Sequence, residues 1–169
     1  MNLPQNEFNP YYLPYIILAT SENIIEGLQR NLKSVTAFYK NIPEEKHNYA
    51  YAEGKWTVKD ILLHIIDTER IFAYRALRIG RNDKTLMRGF EQDDYVISGN
   101  ASARTMESLI NEYMSVRHST ISLYKSFSQN DLKCMGTASN SPVSVRAIGY
   151  IISGHENHHN RIIEERYLN

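Results

Sequence analysis

The residues of this chain best suited to chemistry are its histidines. Residues 144–169, SVRAIGYIISGHENHHNRIIEERYLN, hold half of the six histidines in the 169-residue chain and no proline. Ser144 is placed to cap a helix there. At about 100° per residue, Ile148, Ile151, Ile152, Ile162 and Ile163 form one apolar stripe, the face a helix turns toward a core. His155 and His159 fall inside that stripe. His158 falls at its edge, roughly 90° from the centre. Two histidines four apart on one helical face can grip one metal ion. Two imidazoles buried without partners would instead be costly.

His155-Glu156-x-x-His159 matches the helical pattern of zinc proteases, in which the glutamate is the general base. Such enzymes usually take a third ligand from downstream, yet only ten residues follow His159 and none is a histidine. Glu164 and Glu165 lie too near on the same helix to serve. A third ligand is therefore expected from upstream, on a facing helix, as bundles build their metal sites. His64, in the middle of the most apolar segment, is the best donor. His47, in a polar connector, and His118, beside Arg117, read as solvated.

The competing reading makes His64, His155 and His159 core histidines satisfied by hydrogen bonds. Three in apolar settings, two of them four apart, favour the metal. Three neutral imidazoles leave the ion's charge uncompensated, which favours an anionic fourth ligand, hydroxide or a thiolate. On zinc, bound water reaches a pKa near 7. Asp67 and Glu156 are candidate orienters of the ligand nitrogens or acid–base groups; surface or helix-pairing roles are the alternative. Glu69-Arg70 and Glu165-Arg166 read as structural ion pairs. Cys134, with no histidine near it in sequence, reads as an incidental thiol.

Four helices must position these residues. After an irregular arm over residues 1–20, the first is expected from a cap at Thr20 or Ser21 to about Asn41. Ile24, Ile25, Leu28, Leu32, Val35 and Phe38 recur along it at helical spacing. The second opens at Thr57, with Asp60 three residues on as a near capping box, and ends at about Gly80, taken as its C-terminal glycine. It is apolar nearly all round, so the direction of His64 stays open. Residues 81–101 form a polar loop longer than most bundle connections, suited to line a pocket. The third helix is expected from Ser102 to about Phe127, followed by a loop to Pro142 and the final helix. With no convincing strands, the fold class is all-α, a four-helix bundle.

The length suggests one domain spanning residues 1–169. Nineteen basic residues balance nineteen acidic ones, which gives no electrostatic case for nucleic acid or an anionic membrane surface. The one cysteine permits no intramolecular disulfide, and a cytoplasmic setting is expected. The N-terminus lacks a basic start and carries three prolines within its first fourteen residues, so no signal peptide is expected. No apolar run approaches a membrane span.

GKWTVKDILLHIIDTER, FAYRALRIGR and GHENHHNRIIEERYL together resemble the DinB-like superfamily of metal-binding four-helix bundles. The likeness runs from about residue 22 to 168 and takes in the RGFEQDDYV loop and the TASNSPVSVRAI approach to the last helix. It implies a divalent metal ion, zinc or nickel, held by His64, His155 and His159. Related proteins include bacillithiol transferases and mycothiol-dependent maleylpyruvate isomerases. The resemblance thus implies a metal-dependent enzyme that transfers a low-molecular-weight thiol to a small-molecule electrophile, with metal-assisted hydrolysis as the next chemistry. The alternative is a non-catalytic metal-binding stress-response or structural bundle. Three protein ligands and an open position would mark the enzyme; a fourth protein ligand would mark a structural site. The resemblance and the apolar second helix together imply a homodimer.

Overall fold

Each long helix begins where a side chain satisfies its free amides. The computed structural model describes residues 3–169; the first two residues of the expected arm lie outside the described residues. Two 3-10 turns and a short helix α1 (Leu13–Ile16) precede α2 (Ile24–Lys40), followed by α3 (Val58–Gly80) and α4 (Gln92–Gly99). Then come α5 (Met106–Lys125), strands β1 (Met135–Ala138) and β2 (Ser141–Ser144), and α6 (Val145–Arg166). Thr57 and Asp60 form the full capping box of α3, and the Ser144 hydroxyl accepts the Ala147 amide at the start of α6. The other two caps differ from expectation. Asn23 caps α2 by accepting from the Glu26 amide, while the Ser21 hydroxyl accepts the Asn23 amide. Thr105 caps α5, and Ser102 lies in the 3-10 turn before it.

Around the bundle the helices run α2, α5, α3, α6, each packed on the next and α6 on α2. This order sets α3 against α6 and so brings His64 to the histidine pair. The apolar surface of α3 is mostly absorbed within the chain; Tyr74 and Leu77 are its exposed large apolar side chains. Two buried apolar clusters fill the bundle. One contains Leu28, Phe72, Ile79 and Ile148, and the other Val35, Leu62, Leu109 and Ile163. Between them in sequence along the four helices lie the buried polar residues Asn31, Thr68, Glu69, Arg117, His155 and Glu156, with His64 just before, among Leu63, Ile65 and Ile66 of the second cluster. The midsection of the bundle is therefore polar. No helix among the described residues is long and apolar enough to cross a membrane.

Three features depart from the sequence expectation. The stretch expected as a loop over 81–101 contains α4, whose first turn carries Asp93 and Asp94, favourable at a helix N-terminus. The expected loop before Pro142 contains an antiparallel hairpin, in which Ala138 pairs with Ser141. Ser139 and Asn140 adopt positive φ of 50° and 59°, the left-handed pair that closes a two-residue hairpin. Glycine usually signals that turn, and none is present. Gly80 also does not act as the terminal glycine. It lies inside α3, where a Cβ would stand 2.4 Å from the Phe127 ring, and Asn82 takes the left-handed conformation instead.

The N-terminal arm is docked along α6. Glu7 pairs with Arg146. The Tyr150 hydroxyl donates to the Glu22 carbonyl at 2.7 Å and Asn157 donates to the Leu18 carbonyl at 2.8 Å. At Gly154 the arm comes so close that a Cβ would lie 1.7 Å from the Tyr15 carbonyl oxygen.

Candidate metal centre

Adjacent helices bring His64, His155 and His159 together. The Nε2 atoms of His64 and His155 are 3.1 Å apart, and those of His159 and His155 are 3.0 Å apart. All three ligand atoms lie within 4.8 Å of one another. His64 and His155 are buried and His159 is half-buried. Trp56, just before the α3 cap, lies 4.7 Å from the His64 ring and 6.4 Å from that of His159. Tyr15 of the arm meets His155 edge-on at 5.3 Å and His158 at 5.2 Å. His158 stays outside the cluster, at the edge of the stripe where the helical wheel puts it.

The donors fit a divalent cation. Ligand nitrogens about 2.1 Å from a common ion and about 90–110° apart stand about 3.0–3.4 Å from one another. The His64–His155 and His159–His155 separations match that spacing. Burial lowers the His64 pKa to about 4, with the charge of Asp93 acting against it. Burial, together with His64 and His158, lowers His159 to about 3. His155 is also lowered, by burial first and then by its histidine neighbours. The imidazoles are thus neutral, the form in which a metal takes them. The Thr68 hydroxyl lies 3.4 Å from His64 Nδ1. With the Nδ1 proton given to Thr68, the Nε2 lone pair faces the cluster.

Asp67 and Glu156 are placed elsewhere. Glu156 is 0 % exposed. Its carboxylate accepts from Arg117 at 2.9 and 2.8 Å, from the Tyr113 hydroxyl at 2.7 Å and from Asn31 at 2.7 Å. Burial raises its pKa while Arg117 lowers it. Arg117 is buried as deeply and holds Glu69 through two 2.8 Å bonds. Asp67 belongs to a partly exposed network in which Arg70 bonds Asp67 at 3.4 Å and Glu112 at 2.6 Å. Burial raises the Asp67 pKa and Arg70 opposes this. No hydrogen bond among the described residues joins either carboxylate to a histidine. The expected pairing of Glu69 with Arg70 is replaced by Glu69 with Arg117, and Glu165 pairs with Arg161. His118 is exposed, while His47 is half-buried with Nε2 3.1 Å from the Ile42 carbonyl oxygen. Cys134 is a free, half-buried thiol.

The cluster borders a cavity of about 280 Å³ that reaches His64 and His155. The arm contributes Tyr12 and Tyr15 to its wall, α3 contributes Phe72 and Arg75, and Asp93 of α4 lies on it. Sequence reasoning missed Trp56, Arg75 and Asp93. Arg75 shares a helical face with His64, at spacings of four, four and three through Thr68 and Phe72, and Trp56 directly precedes the α3 cap; Asp93 comes to the cavity only through the packing of α4.

The fold has counterparts among solved structures. The chain is similar to YfiT from Bacillus subtilis, described as a probable metal-dependent hydrolase with an unusual four-helix bundle topology. The TM-score is 0.72 at 12 % identity over 97 % of this chain and 90 % of YfiT. It is also similar to YjoA, a DinB-like protein of Bacillus subtilis, with a TM-score of 0.59 at 15 % identity over 84 % of this chain and 87 % of that one. No curated protein matches the chain in sequence. The profile of the DinB superfamily matches residues 28–163, most of the bundle and all three clustered histidines, and the chain belongs to that superfamily.

Proposed function

We propose that this protein is a divalent-metal-dependent enzyme that activates a small nucleophile, water or a low-molecular-weight thiol, against an electrophile bound in the cavity. The observation that carries this reading is the convergence of three neutral imidazole Nε2 atoms beside an open cavity. No fourth histidine, cysteine, aspartate or glutamate joins the group among the described residues. A structural site would be expected to close its coordination with a fourth protein ligand.

His64, His155 and His159 would hold the ion, zinc or nickel. A bound ion would supply Lewis acidity and lower the pKa of a coordinated water or thiol. Trp56 and Tyr15 fix the imidazole planes, and Thr68 holds the His64 tautomer. Asp93, whose charge acts on His64, is better placed to take a proton at this site than Asp67 or Glu156. The description of YfiT as a probable metal-dependent hydrolase supports the hydrolytic branch; the family resemblance supports the thiol branch. Residues 1–169 are read as one domain, supported by the ties of the arm to α6. The lone Cys134 fits a reducing, cytoplasmic setting. Tyr74 and Leu77 offer α3 an apolar patch for a homodimer contact.

Zinc- or nickel-loaded protein assayed with an aryl ester, and with cysteine plus an aryl halide, tests the reading. Turnover that disappears on chelation and returns with metal is expected. Turnover indifferent to chelation contradicts it.

A further inference from the structure

Arg75 is 3 % exposed, yet no carboxylate among the described residues pairs with it. Its Nη2 donates to the Arg88 carbonyl and to the Ser139 hydroxyl, each at 3.0 Å. The Tyr12 hydroxyl acts on it as a third polar group, and the guanidinium lies over the Phe72 ring, 5.5 Å from its centroid. All three polar groups are uncharged. Arg117 shows how this fold otherwise buries a guanidinium, between Glu69 and Glu156. A charge removed from water with only neutral partners is costly, and burial lowers the Arg75 pKa accordingly.

The location of Arg75 gives this cost a use. It lines the same cavity as His64 and His155. His64, Thr68, Phe72 and Arg75 are spaced by four, four and three along α3, so they stand on one face of the helix. Along the axis, eleven residues span about 16 Å, and the long arginine side chain leans back toward the helix N-terminus. The tip of the β1–β2 hairpin holds the guanidinium through Ser139, and that tip is itself fixed where the Ser139 amide donates to the Met87 carbonyl at 2.9 Å. A guanidinium has five N–H donors, and both hydrogen bonds to Arg88 and Ser139 leave from one nitrogen. Phe72 and Tyr12 form aromatic walls beside it. Glu91 and Asp93, also on the cavity, are exposed and do not pair with Arg75.

We propose that Arg75 is the anion-binding end of the substrate pocket, taking the carboxylate of a small aromatic acid whose other end lies at the three histidines. This rests on the reading of the cavity as a substrate site. The guanidinium supplies the planar fork that a carboxylate matches, and the acid supplies the missing counter-charge.

Calorimetric titration of the full-length protein with benzoate and with benzamide, its neutral isostere, tests the assignment in zinc-loaded and in chelated protein. Benzoate is expected to bind at least about tenfold more tightly in both states, the scale of a charge-assisted hydrogen bond. Arg75→Met loses the preference and Arg75→Lys retains part of it, both with wild-type zinc content. Wild-type protein with no preference for benzoate, including protein that binds neither compound, overturns the assignment whether or not the variants fold. Benzoate binding that vanishes on chelation also overturns it, because the carboxylate is then on the metal. Failure to take up zinc is a separate result. It sinks the proposed function, while the benzoate preference of the metal-free protein still decides the role of Arg75.

Discussion

The carbonyl oxygen of Tyr15 faces Gly154 so closely that a Cβ there would lie 1.7 Å from it. A helix-interior glycine costs about 1 kcal/mol against alanine unless packing demands it. Here the contact lets the arm lie on α6 beside His155. Gly154→Ala should therefore destabilise the fold by about 1–3 kcal/mol through overpacking, despite its better helix propensity. Urea denaturation measures this, and faster proteolysis within residues 3–19 should accompany it. Equal or higher stability would show that the arm does not hold this position.

Glu156 is a test of role. Its carboxylate faces Arg117, Tyr113 and Asn31, away from the histidines. Glu156→Gln should cost about 3–5 kcal/mol, the range for breaking a buried ion pair. Zinc affinity should fall by less than the roughly tenfold loss that follows removal of a ligand's hydrogen-bond partner. A variant of wild-type stability with tenfold weaker zinc binding would place the carboxylate at the metal instead.

Acid should loosen the arm. The hydrogen bond from Arg146 lowers the Glu7 pKa from its ordinary 4.5, with burial opposing. A carboxyl lowered on folding adds stability above its unfolded pKa and loses it as pH falls through the folded value. Hydrogen exchange in residues 3–19 should accelerate as pH drops below about 4.5, after correction for intrinsic rates. Glu7→Gln should show the acid behaviour already at neutral pH. An arm whose protection is identical in Glu7→Gln and wild type would count against the clamp.

The helices were legible because their signals are local. Apolar spacing, the Thr57–Asp60 box and the Ser144 cap all survive into the structure. The histidine cluster was legible for the same reason: residues four apart share a helical face. The docking of the arm was not, since the Leu18 and Glu22 carbonyls accept from α6, and every residue type carries that acceptor. Gly154, in the middle of a helical stretch, was the one available sign. Arg75 and Arg117 show a second limit. Both are arginines inside long helices, and their sequence does not reveal that one is buried between glutamates and the other against neutral groups. The hairpin closes on Ser139-Asn140 without glycine, so its usual sequence sign is absent.

Chain pairing through α3 has a direct readout. Tyr74 and Leu77 are exposed on that helix, and light scattering at high micromolar concentration is expected to give twice the 19.6 kDa chain mass. Tyr74→Glu should return it to the monomer mass. A monomer mass for the unaltered chain would rule the dimer out.

The three-histidine metal centre is tested most directly by elemental analysis with chelator competition, on protein purified without a histidine tag. About one zinc or nickel per chain is expected from one cluster. His64→Ala, His155→Ala and His159→Ala should each release the metal to chelator, while His158→Ala keeps it and all four remain folded. Wild-type protein that takes up no added zinc or nickel, or a His158→Ala variant that loses metal while His159→Ala retains it, would contradict the assignment.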